Sequence, residues 1–123
     1  MEDERVWHHE KLLWTGSHEE FNHAIEAHSL VVGPMPPFVM EGQEIIQTVA
    51  KGPRFADVTM AHRRIARPQE GLIVVAYKAI APGHGEDDYN AWCTTTWRRI
   101  AHDEWRVVQH QQTPTAEGPF RSG

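Results

Sequence analysis

A single cysteine, Cys93, stands in the whole chain, so no internal disulfide can form and no thiolate-based metal site can be assembled. No apolar run approaches the roughly 20 residues that span a bilayer. The opening residues, MEDERVWHHE, are acidic and hold no apolar segment, so no signal peptide is expected at this end. Basic residues never gather into a long run and the formal net charge is -5. Both features speak against nucleic acid or an anionic membrane surface as the main partner. A glycine-rich phosphate loop is missing too, since Gly83-x-Gly85 falls in a turn between strands. Neither an internal repeat nor a linker-like stretch divides the chain. What is there is 40% hydrophobic residues and five tryptophans in 123 positions, enough to bury a core without staples. A soluble cytoplasmic domain is the expectation.

The first half reads as helices. Glu2, Asp3 and Glu4 put negative charge where a helix start favours it, and the pattern runs through Val6, Glu10 and Leu13 to Trp14 before Thr15-Gly16 ends it. Ser17-His18-Glu19-Glu20 matches a capping box. Phe21, Ala24, Ile25 and His28 follow at i, i+3, i+4 and i+7, which predicts a second helix reaching His28 and forming a hairpin with the first. Leu30-Val31-Val32 predicts a short buried strand, and Phe38-Val39-Met40 another after the extended Pro36-Pro37. Residues 41–51 predict a third helix burying Ile45, Ile46 and Val49, stopped by Gly52-Pro53.

From Phe55 onward the pattern turns to strands. Residues 55–66 alternate with Val58, Met60 and His62 on one face. Residues 72–81 form a continuous apolar run of the kind covered on both faces. Residues 89–100 and 105–113 complete a meander, with turns at 82–85 and 101–104. Residues 115–123 are expected to form a flexible tail. The order predicts one α+β domain over residues 1–114, with helices covering one face of a curved antiparallel sheet.

Particular residues sharpen this. The Glu10…Trp14 helix with its Gly16 turn, Gly42-x-Glu44-x-Ile46 opening the third helix, and Val75-x-Tyr77 are three of them. The fourth is Trp97-Arg98-Arg99…Trp105-Arg106-Val107-Val108…His110-Gln111-Gln112-Thr113-Pro114. Together, over about residues 4 to 114, the chain resembles the nuclear transport factor 2-like superfamily, and within it the ketosteroid-isomerase-like and SnoaL-like group of small bacterial proteins. The resemblance implies a cone: a curved antiparallel sheet with the three helices on its concave face, wrapped around a deep pocket. It also implies a homodimer through the outer sheet face. It fixes no activity, because such a fold hosts isomerases, cyclases, dehydratases and ligand carriers.

Steroid-isomerase chemistry needs a carboxylate base and two oxyanion donors, a tyrosine and a protonated acid. Laid on this chain without gaps, those positions fall at about Gly33, His9 and Thr95, and none keeps the required residue. Histidine is the next best base near neutral pH, its ordinary pKa being about 6.5. His110, His62 and His9 are the candidates, ahead of His28, Glu41 and Asp57. His110 leads, because the resemblance aims Val108, His110 and Gln112 into the cone. An imidazole with no evident acidic partner makes a poor catalyst, so a His110 that only shapes the pocket wall is the plainer expectation.

The expected ligand pocket has Trp14, Phe38, Met60, Tyr77 and Trp97 as apolar wall, with Thr95, His110 and Gln112 supplying hydrogen bonds. It would suit a mainly apolar small molecule carrying a polar group. Cys93 reads as a small apolar filler that turns inward with Ala91 and Thr95. No metal or other cofactor is expected: His8 and His9 point about 100° apart on a helix, and His18 and His23, at i, i+5, about 140° apart. Zinc-protease geometry therefore fails. Asn90, Trp92, Thr94 and Thr96 fall outward and are the expected dimer face. Arg63, Arg64 and Arg67 read as a solvated strand end. The leading expectation is a dimeric pocket protein. The alternatives are a small isomerase, cyclase or dehydratase with a histidine base, and an interaction module with a vestigial pocket.

Overall fold

The computed structural model describes residues 1–83 and 87–115. Expectations about the turn at residues 84–86 and the tail at 116–123 lie outside the described residues. Three helices, α1 (Asp3–Thr15), α2 (His18–Ala24) and α3 (Gly42–Ala50), pack with six strands: β1 (Ile25–Val32), β2 (Val39–Glu41), β3 (Thr59–Gln69), β4 (Leu72–Ala81), β5 (Tyr89–Ala101) and β6 (Glu104–Pro114). The sheet order is β2-β1-β6-β5-β4-β3. All neighbours are antiparallel except β1 and β6, which run parallel. The sheet is therefore mixed, not wholly antiparallel as the meander suggested. Among the described residues no helix is long and apolar enough to cross a membrane.

Capping places the helices as the sequence indicates. Ser17 Oγ accepts from the Glu20 amide while Glu20 returns a bond to the Ser17 amide, which starts α2 one residue after α1 is closed by Gly16. Glu41 and Glu44 make the equivalent exchange at the start of α3. Gly42 is required there: an added Cβ would lie 2.0 Å from the Glu26 carbonyl oxygen and 2.5 Å from Ser29 Oγ. Only hydrogen fits where α3 meets β1.

Several expectations are corrected. The second helix stops at Ala24, and Ile25 to Val32 form β1 instead, pairing Ile25 with Val107 and Leu30 with Gln109. A helical period over two turns is a weak signal, and strand pairing on both sides of β1 outweighs it. Within β1, Val31 is buried, but Leu30 is 56% exposed and Val32 37%, because the strand alternates between a packed and an open face. Ile45, Ile46 and Val49 of α3 are half-buried against the core rather than sealed in it. β4 buries Ile73, Val75, Tyr77, Ala79 and Ala81, while Leu72, Val74, Ala76, Lys78 and Ile80 between them are only half-buried. It is thus covered fully on one face, not on both.

The core lies where α1 crosses the inner faces of β4, β5 and β6. Val6, Trp7, Leu13 and Trp14 meet Ile73, Val75, Tyr77, Ala79, Ala91, Cys93, Trp97 and Val107. Glu10 sits in the same helix stripe, one turn after Val6 and one turn before Trp14, and it too is 0% exposed. A carboxylate on an apolar stripe demands partners.

Candidate functional site

Strand register brings those partners together. On the inner face Val75 pairs with Thr95, Thr95 with His110, and His110 with Val31. One step along, Tyr77 pairs with Cys93 and Cys93 with Gln112. Above this row sits Glu10. Its Oε2 accepts from the Tyr77 hydroxyl at 2.7 Å and the Thr95 hydroxyl at 2.5 Å, and its Oε1 from Trp97 Nε1–H at 2.9 Å. Trp14 Nε1–H in turn donates to the Tyr77 oxygen at 3.0 Å.

The network fixes proton positions. Thr95 spends its one hydroxyl proton on Glu10, so its oxygen accepts from His110 Nδ1–H, at 2.7 Å. Nε2 of His110 is then a lone-pair acceptor for the Gln112 amide at 3.1 Å, and Gln112 Oε1 accepts from the Tyr89 hydroxyl at 3.0 Å. His110 is thus a neutral imidazole in the Nδ1–H tautomer. Burial holds it there by depressing its pKa to about 4. Burial pushes Glu10 upward, against the pull of its bonds from Thr95, Tyr77 and Trp97. Although His110 Nδ1 stands 3.8 Å from Glu10 Oε2, these two directions oppose an ion pair. Thr95 mediates between them instead. Burial and then Glu10 raise Tyr77 well above the usual phenol range, so it stays a donor.

Of the eight residues expected around the ligand, Trp14, Tyr77, Thr95, Trp97, His110 and Gln112 converge in this cluster, and their polar atoms bond one another or Glu10. Met60 is half-buried and packs at the edge of the core. Phe38 stands apart: it has a left-handed backbone, φ 66°, next to the Pro36-Pro37 cis bond, and its ring is half exposed. Val107, rather than Val108, points inward beside His110, because a bulge between Thr96 and Trp97 inserts a residue into β6. A second bulge, with His62 at φ 54°, turns that imidazole outward onto the Trp92 ring at 5.9 Å. His62 therefore lies on the opposite face of the sheet from His110.

His9, the remaining catalytic candidate, lines an open cavity of about 550 Å³. The cavity lies on the flank of α1 away from Glu10, between α1, α2 and the β5–β6 turn. Leu12, Ala24, Trp97 and Trp105 form its apolar surface, while Arg5, His9, His23, Glu19, Glu20, Asp103 and Glu104 bring polar groups. Trp97 is the one residue shared by cavity and buried network. Burial, with His8 and Arg5 nearby, lowers the His9 pKa below its ordinary 6.5. Sequence reading missed Glu10 and most of this cavity. A glutamate inside the stripe Val6–Leu13–Trp14 was the available signal for the first.

Cys93 is buried, with its pKa pushed up to about 12 by desolvation and then by Glu10. A thiol held in that form is a poor nucleophile. We expect iodoacetamide at pH 8 to modify the folded protein at least about 100-fold more slowly than the urea-unfolded chain. Comparable rates would show that the inner face opens readily.

No protein-family model and no curated protein matches the chain. Solved structures do. A Parabacteroides distasonis protein provisionally assigned as a ketosteroid isomerase superposes with a TM-score of 0.78 at 16% identity, over 95% of this chain and 90% of that one. An NTF2-like protein from Cytophaga hutchinsonii gives 0.75 at 16% identity, over 94% and 99%. The association domain of CaMKII from C. elegans gives 0.70 at 14% identity, over 89% and 90%. The chain thus has the nuclear transport factor 2-like fold, as its motifs implied.

Proposed function

We propose that the chain is a homodimeric binding protein that holds a mainly apolar small molecule with a polar group in the cavity between α1, α2 and β6. The observation that carries this is the contrast between two places. The buried cluster around Glu10 has its hydrogen bonds satisfied within the protein, whereas the neighbouring cavity is open, about 550 Å³ and walled by Trp97, Trp105, Leu12 and Ala24. Ligand sites have this size and combine an apolar wall with polar groups. Native mass spectrometry of gently purified protein tests it. A reproducible bound mass, lost in a Trp105→Ala variant that still folds, is the expected result; an unliganded protein whose tryptophan fluorescence answers no small molecule would sink it. A cytoplasmic setting fits the single, reduced Cys93. The isomerase, cyclase or dehydratase reading draws support from His9, the one of His110, His62 and His9 that lines the cavity. It requires turnover that titrates with His9 and vanishes in His9→Ala.

The dimer reading is supported by the outer sheet face. Register lines up Val39, Val32, Gln111, Thr94, Ala76 and Arg64 across all six strands, and Glu41, Leu30, Gln109, Thr96, Val74 and Ala66 beside them. Thr94 and Thr96 donate to Gln111 and Gln109, at 3.1 and 3.0 Å, so the polar groups at the centre of the strip are paired and that part can lose water cheaply. Trp92, 48% exposed, and Val39, 62%, stand on the same face. Asn90 is half-buried at its end. Introducing Thr94→Arg with Thr96→Arg is expected to yield monomers in sedimentation, since unpaired like charges facing each other cost several kcal/mol across an interface. An unchanged sedimentation coefficient would place any self-association elsewhere and leave the interaction-module reading without its surface.

A further inference from the structure

We infer that the ligand of this cavity is a small organic cation, an amine or quaternary ammonium on an apolar body. The inference rests on the binding reading above and adds its charge. Four carboxylates line the cavity, Glu19, Glu20, Asp103 and Glu104, against two cations, the Arg5 guanidinium and the Met1 α-ammonium, which interacts with Asp103. That guanidinium is already engaged: Arg5 Nη1 lies 2.8 Å from Asp103 Oδ1. Glu104 has a long contact of 3.6 Å with Arg106. Glu20 offers Oε1 to the Ser17 amide, a bond that leaves its charge in place, and no hydrogen bond or ion pair of Glu19 is present among the described contacts. The His9 ring, tilted against Trp97 at 6.1 Å, is biased toward the neutral form by burial, His8 and Arg5, so it adds no cation to offset the acids.

The wall chemistry points the same way independently of those acids. Trp97 and Trp105 give the cavity two indoles, the ring type that attracts cations most strongly. Trp105 already receives one: the Arg99 guanidinium lies 5.9 Å from its ring centroid. An anion would meet the Glu19 and Glu20 carboxylates and the indole of Trp105, the less buried of the two tryptophans. A neutral ligand would gain the apolar wall but nothing from the rim. An ammonium on a short alkyl or aryl body gains both.

The test compares three probes of matched chain length: hexyltrimethylammonium, hexanol and hexanoate. Each is titrated into the full chain while the indole N–H resonances of Trp97 and Trp105 are followed by NMR. The cation is expected to bind about fivefold to tenfold more tightly than hexanol, with hexanoate weakest. That advantage should shrink as salt is raised. In Glu19→Gln/Glu20→Gln, where the new amide oxygen at position 20 can still accept from the Ser17 N–H, hexanol should bind as before while the cation loses most of its lead. Hexanol shifting the indoles with no preference for the cation, or a preference for hexanoate, would overturn the charge assignment and leave the cavity reading intact. If none of the three moves Trp97 or Trp105, both readings fall together.

Discussion

Glu10→Ala is expected to remove about 3–5 kcal/mol of stability, read as a shift in the urea midpoint by tryptophan fluorescence. The mutation leaves three buried donors, the Tyr77 and Thr95 hydroxyls and the Trp97 indole N–H, facing empty space, and each orphaned group costs about 1–3 kcal/mol. A domain of this size holds roughly 5–15 kcal/mol in all, so the loss is a large fraction of the total stability. Glu10→Gln is the informative companion. Its amide keeps one acceptor oxygen but must turn its NH₂ toward a donor, either Trp97 on one side or Tyr77 and Thr95 on the other. An intermediate loss of about 1–3 kcal/mol follows. If Glu10→Ala costs less than about 1 kcal/mol, the carboxylate is not holding α1 to the sheet. The inner face would then need another explanation for its order.

How much of this was legible beforehand depends on how far apart the cooperating residues lie. The capping box at Ser17 and Glu20 spans three residues, and it was read correctly. So were α1, α3 and the strands β4, β5 and β6, whose patterns repeat within ten or so positions, while β3 runs over Thr59–Gln69 rather than residues 55–66. The inward placement of Thr95, Trp97, His110 and Gln112 also survived, because the resemblance supplied the register that spacing alone does not. Glu10 was different. Its three donors come from 67, 85 and 87 residues away, and nothing local distinguishes it from a surface glutamate except its place between Val6 and Trp14. Judged without it, His110 lacks an acidic neighbour; the structure supplies one through Thr95. The misplacements of His62 and Val108 both trace to bulges, where one extra residue reverses every side chain beyond it. Phe38 was lost to a left-handed backbone that a strand pattern does not announce. The cavity had no signature at all, since Leu12 and Ala24 come from two helices while Trp97 and Trp105 flank a turn.

His110 should make the fold acid-sensitive in a window that can be named. Its folded pKa of about 4 lies below the ordinary 6.5. The neutral ring is therefore the form that folding prefers. Its contribution is fully present above pH 6.5 and is lost as pH falls toward about 4, where the unfolded chain has taken up a proton that the folded one resists. The loss amounts to about 3 kcal/mol over that span. The groups that face the ring are Thr95 from β5, Gln112 from β6 and Glu10 from α1. Of these only Glu10 titrates, and it works in the opposite sense: its pKa is raised, so its contribution is greatest in acid and fades as pH rises. The observed drop will be the His110 loss partly offset by Glu10. His110→Asn separates the two, since Asn can present an N–H to Thr95 in place of Nδ1–H but does not titrate. Urea midpoints at pH 7, 5.5 and 4.5 should fall more steeply in the parent than in His110→Asn, where the lowered pKa of His9 still contributes to the fall. Exposed carboxylates such as Asp57 and Asp103 titrate alike in both proteins and cancel in the difference. Parallel curves would mean that the imidazole is hydrated in the fold, and with it that the inner face is open to water after all.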